Sequence, residues 1–470
     1  MSVTDRLRNR VRELFPHSAQ IVGAGVEGMS SLRFLRKMGI DVVLRDRNSQ
    51  LTAPEGVEVI SGEGYLEGIP QNATLMRSAG IRFDLPALSA HRAAGGHTLS
   101  QARLFCALHR TLHPKGHIVG VTATMGKGTI CTILSEMLTA ANIPHAVLGN
   151  IGKPMLDVLL EDDVPSTVVL ELSSFQLSDF VPGDGLSESD IAPDIALFGH
   201  VTIEHLDWHT GQVEYWESKA NLAAHQLDRQ LAVHLAEDPG SVFCGMAGSA
   251  SRWTLGSSGE LSIVGDSLVD RAGNVLLKST QLRVPGRFQL ENVGLAWLAA
   301  RGLDIANQPC QQGACAFKGL RHRLMWAGKA NGISYYDDSY ATRPEATLAA
   351  IGTFAETPLS LILGGSDKGI DFDELVQGVL NHASLRHVAL IGATAPRLRE
   401  AFSRAGHPPF DLQEYPGLPE AFAACEHALQ GSGGALLLSP ACASFGLFAN
   451  YKERGEAFLR LAAERTGETF

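Results

Sequence analysis

Short apolar strands alternate with helices along almost the whole of this chain, and this alternation constrains the fold more than any other feature. The apolar strand in AQIVGAG is followed by the helical pattern MSSLRFLRKMG and then by a second strand in DVVLRD. Two strands joined through a helix form a parallel βαβ unit with a right-handed crossover. The sequence therefore predicts an α/β fold built on parallel sheets.

Two changes in composition divide the alternation into three series. The small-residue stretch AHRAAGGHT ends the first series at residues 90–98, and ANQPCQQGACAFKG ends the second around residues 305–318. A chain of 470 residues also exceeds the roughly 250–300 residues that one core supports. We expect a Rossmann-like domain at 1–97, a P-loop-type mononucleotide-binding domain at 98–315 and a second Rossmann-like domain at 316–470.

The composition excludes several classes of protein. The net charge of −11 argues against broad electrostatic binding to nucleic acid. Seven scattered cysteines without a C-x-x-C pair predict reduced thiols rather than disulfides or a zinc cluster. The charged N-terminus is no signal peptide, and no apolar run reaches the roughly 18 residues of a membrane span. We expect a cytoplasmic monomer that is not inserted in a membrane.

A glycine-rich turn joins the first strand to the first helix. Gly23, Gly25 and Gly28 in GAGVEG have G-x-G-x-x-G spacing, and Asp46 ends the next strand. Backbone amides at such a turn suit a pyrophosphate, and the acid suits a ribose hydroxyl. A second glycine turn at Gly80 is expected to face the same crevice. The pattern predicts a dinucleotide or nucleotide-sugar site, with a turn that needs glycine only for packing as the alternative.

A lysine-containing loop follows the first strand of the second series. The segment GVTATMGKGTI, residues 120–130, matches the P-loop pattern G-x-x-x-x-G-K-[ST] at Gly126 and Lys127. It departs from that pattern at Val121 and Gly128. A lysine at a helix N-terminus reaches the β- and γ-phosphate oxygens of a nucleotide. We therefore predict a nucleotide site here, and the alternative is an exposed turn.

An acidic residue ends a strand that the pattern predicts to be buried. In VVLELSSFQLSDF, Glu171 follows a run of apolar residues, and Ser173 and Gln176 come next. A buried carboxylate costs several kcal/mol unless it is paired or bound to a metal. Glu171 is therefore a candidate ligand. The alternative for Ser173 is a helix N-cap.

Polar residues also cluster after the strand in PDIALFGHV. The segment HVTIEHLDWH places four candidate ligands for Mg²⁺ or substrate beyond that strand, Glu204, His205, Asp207 and His209. Lys219 lies further on in a predicted helix. Taken alone, its pattern favours a solvated lysine.

Three strands of the last third also end in polar groups. These groups are Asp337, Asp338, Ser339 and Thr342 after the first strand, Lys368 after the second, and Ser439 and Ser444 after the third. Open α/β sheets bind ligands at this edge, and a cation there suits a carboxylate. Each group alone is compatible with turn chemistry. Together they predict a site.

The order of these motifs resembles that of the Mur ligase family over nearly the whole chain. The segments that carry the resemblance are GAGVEGMSS, GVTATMGKGT, GNIGKP, ELSSFQL, EHLDWH…YWESKA, PGRFQLEN, GLRHR, DDSYAT, GGSDKG and SPACASF…RG. ELSSFQL, DSxAT and SPACAS are typical of the branch that adds D-glutamate. The resemblance implies that ATP phosphorylates the carboxylate of UDP-N-acetylmuramoyl-L-alanine, and that the amine of D-glutamate attacks the acyl phosphate. This reaction belongs to peptidoglycan precursor synthesis.

The resemblance also implies a role for individual residues. The ATP-binding residues would be Thr122, Ala123, Thr124, Met125, Gly126, Lys127, Gly128, Thr129, Asn292, Arg323 and Asp338. The UDP-substrate-binding residues would be Gly23, Gly25, Gly28, Asp46, Gly80, Asn150, Ser173 and Gln176. The D-glutamate-binding residues would be Thr342, Lys368, Ser444 and Tyr451. The catalytic residues would be Lys127, Lys219, His205 and Glu171, and the Mg²⁺ ligands Glu171, His205, Thr129 and Lys219 in carbamylated form.

Several positions depart from the family pattern. Ala123 replaces a glycine of the phosphate loop, and Gly128 replaces a hydroxyl residue whose place water or Thr129 would take. The other departures are Phe288 and Gln289 for His and Asn, His200 for Asn, Tyr340 for Lys, and Gly446 and Leu447 for an Asp-Gln pair.

These departures leave three alternatives open. The first is the same chemistry with another amino acid, such as L-glutamate. The second is a degenerate homologue that binds nucleotide without turnover. The third, suggested by GAGVEG, is a nicotinamide dehydrogenase, which would leave Lys127 and Lys219 unexplained.

Overall fold

The computed structural model of this protein describes residues 3–470 and contains three β-sheets, each with helices between its strands. The predicted α/β fold class is therefore confirmed. The chain divides into two compact units. The first unit consists of the residues up to Leu277 together with Leu290–Ala314, and it holds two of the sheets. The second unit consists of Lys278–Gln289 and Cys315–Phe470, and it holds the third sheet.

The first sheet is parallel throughout, with five strands in the order β3-β2-β1-β4-β5. Its elements are α1 (Val3–Leu14), β1 (Ala19–Val22), α2 (Val26–Met38), β2 (Val42–Asp46), β3 (Glu58–Ser61), β4 (Thr74–Arg77), α3 (Pro86–Ala93) and β5 (Thr98–Ser100). The charged N-terminal segment forms α1, and Met1 and Ser2 lie outside the described residues. The predicted linker at 90–98 is partly helical, and β5 extends this sheet beyond the expected start of the second domain.

The second sheet has nine strands in the order β14-β13-β12-β11-β10-β9-β6-β8-β7. Its elements begin with α4 (Gln101–Leu112), β6 (His117–Thr122), α5 (Lys127–Ala140), β7 (His145–Gly149), α6 (Met155–Val158), β8 (Thr167–Glu171), α7 (Ser174–Leu177), α8 (Glu188–Ile191) and β9 (Ile195–Phe198). They continue with α9 (Gln212–Ala224), β10 (Leu231–Leu235), α10 (Pro239–Gly245), β11 (Ser251–Leu255), β12 (Leu261–Val264), β13 (Ser267–Asp270), β14 (Val275–Lys278) and α11 (Arg287–Gly302).

Six neighbouring strands of this sheet run parallel, in the order β7, β8, β6, β9, β10 and β11. By contrast, β12 and β13 form an antiparallel pair. β6 and β8 carry mostly Val, Ile and Leu, and β8 is buried at every position. Such continuous apolar runs are typical of parallel strands with helices on both faces. The strands β11 to β14 were not predicted, because all four are short and because β11, β12 and β14 are not buried at most of their positions.

The third sheet has six strands in the order β15-β16-β20-β17-β18-β19, parallel except for the β15–β16 pair. α12 (Asn307–Ala316) lies mostly in the first unit. The elements of the third sheet begin with β15 (Met325–Ala330), β16 (Ile333–Asp337), α13 (Pro344–Gly352), β17 (Leu359–Gly364) and α14 (Asp373–Leu380). They continue with β18 (Leu385–Ile391), α15 (Ala395–Ala405), β19 (Asp411–Tyr415), α16 (Leu418–Ala428), β20 (Gly434–Leu438) and α17 (Tyr451–Thr466). The composition break expected around 305–318 contains α12.

Two apolar cores cover the faces of the third sheet, one with α13, α14 and α15 and one with α16 and α17. β17 and β20 lie between these cores and are buried at nearly every position. Within residues 3–470, no helix is long and apolar enough to cross a membrane.

Candidate active site

The phosphate loop follows β6, an interior strand of the second sheet. β6, which precedes the loop, is flanked by β8 on one side and β9 on the other. Val121 is in register with Glu171, and Thr122 is in register with Phe198. Because all three strands are parallel, the segments that follow them emerge at the same edge of the sheet. This edge is where open α/β folds bind ligands.

The loop ends in a tight turn that requires glycine. Gly126 has a φ of +85°, in the left-handed region, and no side chain caps the N-terminus of α5, which begins at Lys127. A Cβ atom on Gly126 would lie 2.9 Å from Oδ1 of Asn292 on α11. Asn292 therefore packs directly against the phosphate loop. The amides of the first turn of α5 are left to an anion.

Two lysines converge on the backbone of this loop. The Lys127 ammonium donates hydrogen bonds of 3.0 Å to the carbonyls of Ala123 and Thr124. The Lys219 ammonium donates to the Ala123 carbonyl at 2.9 Å and to Oγ1 of Thr122 at 3.3 Å. The Ala123 carbonyl thus receives a hydrogen bond from both lysines.

Lys219 is not the solvated helical lysine that its sequence pattern alone favours. It lies on α9, is 1% exposed, and its ammonium is 4.7 Å from the ring centroid of Tyr215. Burial, and then the positive charge of Lys127, lower the pKa of Lys219 to about 7. A large share of this amine is therefore neutral at neutral pH.

Glu171 ends β8 and is buried, as predicted. Its Oε1 accepts a hydrogen bond of 3.2 Å from the side chain of Asn150, whose backbone N–H also bonds to the Glu171 carbonyl. Ser173 forms a capping box with Gln176 at the start of α7, so the helix-cap alternative for Ser173 is confirmed. The amide of Gln176 also donates to Glu27 at 2.6 Å.

His205 lies in the loop that follows β9. It has a φ of +57°, its Nε2 is 3.5 Å from Glu204, and its ring centroid is 4.8 Å from that of Phe175. The imidazole is partly exposed, whereas the nearby His209 is buried and forms a hydrogen bond with Ser174 at 2.9 Å. Within residues 3–470, no three His, Cys, Asp or Glu side chains are grouped so as to hold a metal ion.

His200, which stands where the family pattern has Asn, bridges two acidic residues. Its ring nitrogens lie 2.9 Å from Asp238 and 2.8 Å from Glu291, the neighbour of Asn292 on α11. Burial lowers the pKa of His200, but the hydrogen bonds that its ring donates to the Glu291 and Asp238 carboxylates outweigh burial and raise the pKa overall. The Thr124 N–H donates to the His200 carbonyl at 2.6 Å. His200 therefore connects the phosphate loop to the turn of α11 that carries Asn292.

A cavity of about 620 Å³ lies beside the glycine turn of the first sheet. Four residues predicted to bind the nucleotide sugar line it, Gly23, Gly25, Asp46 and Gly80. Asp46 accepts a hydrogen bond from the Ala24 N–H at 2.6 Å, so this carboxylate also holds the turn.

The predicted nucleotide-sugar residues do not all lie in this cavity. Gly28 serves packing instead, because a Cβ there would lie 1.8 Å from the Gly23 carbonyl oxygen. The cavity lining also lacks Asn150, Ser173 and Gln176.

The lining includes Arg82 and Trp208, which were not predicted. The Arg82 guanidinium lies 4.9 Å from the Trp208 ring centroid and donates to the Trp208 carbonyl. Arg82 also forms a two-bond ion pair with Asp84. The indole N–H of Trp208 donates to the Gly80 carbonyl at 3.3 Å. A tryptophan inside the polar motif EHLDWH was the available sequence signal, but its contact with Arg82 depends on the fold.

A second cavity, of about 640 Å³, lies in the second unit at the ends of β16 and β17. Thr342 and Lys368 line it, as predicted for an amino-acid site. Ser444 is buried beside the lining residue Ala443. Tyr451 is not part of the lining, and its ring packs edge-on against Tyr340 with a centroid distance of 5.1 Å.

Asp338, just beyond β16, is a buried carboxyl group. It accepts hydrogen bonds from the Ser439 hydroxyl at 2.7 Å and from the Leu324 N–H at 3.0 Å. Burial raises its pKa to about 7 despite these donors. Tyr340 lies in the same loop as Asp338, and the guanidinium of Arg323, a residue that precedes β15, is 3.9 Å from the centroid of its ring.

Comparison with known proteins agrees with the predicted family. The Mur ligase middle domain matches residues 121–300, and the Mur ligase glutamate ligase domain matches residues 322–442. A UDP-N-acetylmuramoylalanine--D-glutamate ligase of Symbiobacterium thermophilum is 33% identical, over 94% of this chain and 97% of the relative. A UDP-N-acetylmuramoyl-L-alanine--L-glutamate ligase of Xanthomonas euvesicatoria pv. vesicatoria is 35% identical, over 73% of this chain and 72% of the relative.

Solved structures support the same fold. The crystal structure of MurF from Acinetobacter baumannii superimposes with a TM-score of 0.55 at 18% identity, covering 84% of this chain and 91% of that chain. At this identity the likeness concerns the fold alone. The relative from Symbiobacterium thermophilum is more similar in sequence, and the match covers nearly the whole length of both chains. The chain therefore belongs to the Mur ligase family of ATP-dependent ligases.

Proposed function

We propose that this enzyme joins UDP-N-acetylmuramoyl-L-alanine to D-glutamate in the cytoplasm, with hydrolysis of ATP to ADP and phosphate. The observation that carries the proposal is the convergence of Lys127 and Lys219 on the Ala123 carbonyl, just beyond β6, the strand that pairs with the strand of Glu171. A dehydrogenase has no use for two cations on a phosphate loop. A ligase that moves a γ-phosphoryl group requires charge neutralisation at this place.

The residues of the first unit support the first half of the reaction. The glycine turn and Asp46 would bind the UDP group in the cavity beside them, which Arg82 and Trp208 complete. Lys127 would leave its backbone carbonyls for the γ-phosphate as the substrate carboxylate attacks phosphorus. The products of this step are ADP and an acyl phosphate.

The second half of the reaction is amide formation. Thr342 and Lys368 would hold D-glutamate in the cavity of the second unit. The neutral amine attacks the acyl carbon, a tetrahedral intermediate forms, and it expels phosphate as the amine loses a proton. Arg323, stacked flat on Tyr340, and Asp338 would contact the nucleotide. Residues 1–97, 98–315 and 316–470 are the domains that we assign to the UDP substrate, ATP and the amino acid.

Mg²⁺ would be held by Glu171 and His205, with Lys219 as a further ligand in carbamylated form. A buried carboxylate beside a phosphate loop suits a hard cation, which would neutralise charge on the triphosphate. The neutral amine of Lys219 adds to CO₂ and releases one proton, which converts a buried cation into an anionic oxygen donor. The lowered pKa of Lys219 supports this conversion. Gly128 has no hydroxyl, and Thr129 on the same turn would take its place.

L-glutamate is a second candidate for the amino acid. The relative named for L-glutamate is as similar over its aligned length as the relative named for D-glutamate. Tyr340, Gly446 and Leu447 also depart from the family pattern in or near the amino-acid site.

The deciding experiment measures phosphate release with UDP-N-acetylmuramoyl-L-alanine and each enantiomer of glutamate in parallel. We expect turnover that requires both the nucleotide sugar and D-glutamate. Turnover only with L-glutamate would select the second candidate. Nucleotide binding without phosphate release under any of these conditions would identify a degenerate homologue.

A further inference from the structure

The cavity of the second unit is lined by more charge than the predicted residues supply. Two cations, Arg343 and Lys368, line it together with Thr342. Three acids, Glu345, Asp371 and Glu374, belong to the same lining. A bound molecule therefore meets both signs of charge within a single cavity of about 640 Å³.

Neither cation is neutralised by these acids. Within residues 3–470, neither Arg343 nor Lys368 forms an ion pair or a side-chain hydrogen bond, and Lys368 lies 5.5 Å from the ring centroid of Phe445. Arg397 and Arg404 of the same unit do form ion pairs, with Asp367 and Asp373. The five N–H donors of Arg343 therefore remain for a ligand.

The position of Arg343 is unfavourable for the helix that follows it. Arg343 is the N-cap of α13, and its side chain makes no capping hydrogen bond. A positive charge at a helix N-terminus opposes the helix dipole, and arginine is not among the residues that cap well. An arginine at this position therefore does not stabilise α13, and its presence needs another explanation.

Within the described residues, the loop that carries Arg343 supplies no other cation to the cavity. Tyr340 lies in the same loop, and the guanidinium of Arg323 is 3.9 Å from the centroid of its ring. Arg343, three residues further along, lines the cavity. Arg343 is therefore the positive charge that this loop presents to a ligand.

We infer that Arg343 is a specificity-determining residue of the amino-acid site, where it pairs with Lys368 to bind the two carboxylates of a glutamate. The inference rests on the proposed function. A guanidinium binds a carboxylate through two parallel hydrogen bonds, whereas a lysine acts as a point charge. The three acids repel any substrate carboxylate placed beside them, so the two free cations define where the carboxylates lie. Discrimination against glutamine follows, because its amide gains nothing from the second cation.

The test compares Arg343→Gln with Arg386→Gln. Arg386 is an exposed arginine of the same unit that forms no ion pair with any residue of the described range 3–470, and it does not line the cavity. For Arg343→Gln we expect the KM for glutamate to rise about 10- to 100-fold, which is the usual effect of a lost hydrogen-bonded charge pair. The KM values for ATP and the nucleotide sugar should stay within about twofold, and the preference for glutamate over glutamine should collapse. Arg343→Lys should recover part of the loss, and Arg386→Gln should behave as wild type.

The melting temperature separates substrate binding by Arg343 from a structural role. Because the cation opposes the dipole of α13, Arg343→Gln should melt at the same temperature as wild type or slightly higher, whereas loss of a structural residue would lower the melting temperature. An unchanged KM for glutamate in Arg343→Gln, in an enzyme that ligates glutamate, would overturn the inference and leave the proposed function intact. A wild-type enzyme that turns over neither enantiomer would remove the proposed function and this inference with it.

Discussion

Lys219 in the first unit and Asp338 in the second are both buried ionisable side chains, and their charged forms have opposite signs. Both are more than nine-tenths buried close to the carboxyl end of a strand, Lys219 at the end of β6 and Asp338 at the end of β16. Burial lowers the pKa of Lys219 from 10.5 to about 7 and raises the pKa of Asp338 from 3.8 to about 7. Each group is therefore balanced between its neutral and charged forms near physiological pH.

The contacts of Lys219 differ from those of Asp338, and this difference indicates the chemical role of each side chain. Lys219 contacts a carbonyl and a hydroxyl, and the nearest charge that affects it is another cation, Lys127. Asp338 accepts hydrogen bonds from Ser439 and from a backbone amide. The surroundings of Lys219 favour loss of its proton and reaction as an amine. The surroundings of Asp338 hold the carboxyl group in one orientation.

The largest effect is expected from removing the amine of Lys219. Lys219→Ala should lower turnover by about 10³-fold or more, because the site loses a group that serves phosphoryl transfer. Short carboxylates such as formate or acetate should restore part of the activity, since they supply an anionic oxygen in the space left by the side chain. Turnover measured with and without added carboxylate checks this.

An exposed lysine of the same unit provides the control. Lys37 on α2 is exposed, and Lys37→Ala should leave turnover unchanged and insensitive to carboxylate. Lys219→Ala with reduced activity but no rescue would argue against carbamylation. Full activity would argue against any catalytic use of Lys219.

Replacing Lys127 tests how far a neighbouring positive charge contributes to turnover and to the lowered pKa of Lys219. Lys127→Ala should also cost about 10³-fold in turnover, because it removes the cation nearest the expected γ-phosphate. The same change should raise the pKa of Lys219, since the charge of Lys127 is one cause of its lowered value. Rates and a titration of Lys219 by NMR measure the two effects separately. A normal rate with an unshifted titration would place Lys127 outside the site.

Stability against pH should distinguish the two buried groups by sign. Between about pH 4 and pH 7, unfolded Asp338 has lost its proton while folded Asp338 keeps it, so the free energy of unfolding falls as pH rises. Between about pH 7 and 10.5, unfolded Lys219 keeps its proton while folded Lys219 has lost it, so stability rises with pH. Each contribution is on the order of a few kcal/mol.

Two variants separate these slopes. Asp338→Asn should flatten the fall on the acidic side, and Lys219→Met should flatten the rise on the alkaline side, in denaturant unfolding at a series of pH values. A variant that moved the whole curve without changing its slope in the stated window would show that the group titrates alike in both states.

The sequence predicted the elements of both sites better than their contacts. The strands that end at Glu171 and Asp337 have apolar runs and polar ends, so their place at the sheet edge follows from a local pattern. Burial of Lys219 depends on the helix packing behind β6, and no local pattern encodes that. The pairing of Arg82 with Trp208 joins residues 126 positions apart. Arg343 was not predicted, because arginine in a turn is usually solvent-exposed and only the structure shows that it lines a cavity.

The smallest effect, and the most direct test of the comparison, comes from removing one hydroxyl on each side. Thr122→Val deletes an acceptor for the Lys219 ammonium, and Ser439→Ala deletes a donor to the Asp338 carboxylate. Both changes disfavour the charged form, so the pKa of Lys219 should fall further and the pKa of Asp338 should rise further. Each shift should be about one unit, because a hydrogen bond to a charged group is worth about 1.5–3 kcal/mol and one unit corresponds to about 1.4 kcal/mol.

The direction of these two shifts is the decisive result. NMR titration of the lysine and aspartate side chains would measure them, and Thr122→Ser, which keeps the hydroxyl, should titrate as wild type. The Thr122 hydroxyl also donates to the Leu172 carbonyl, so it must present a lone pair to Lys219. If Thr122→Val instead raised the pKa of Lys219, water would have entered the site and stabilised the charged ammonium. The difference between Lys219 and Asp338 would then lie in the hydration of Lys219 and not in the sign of its charge.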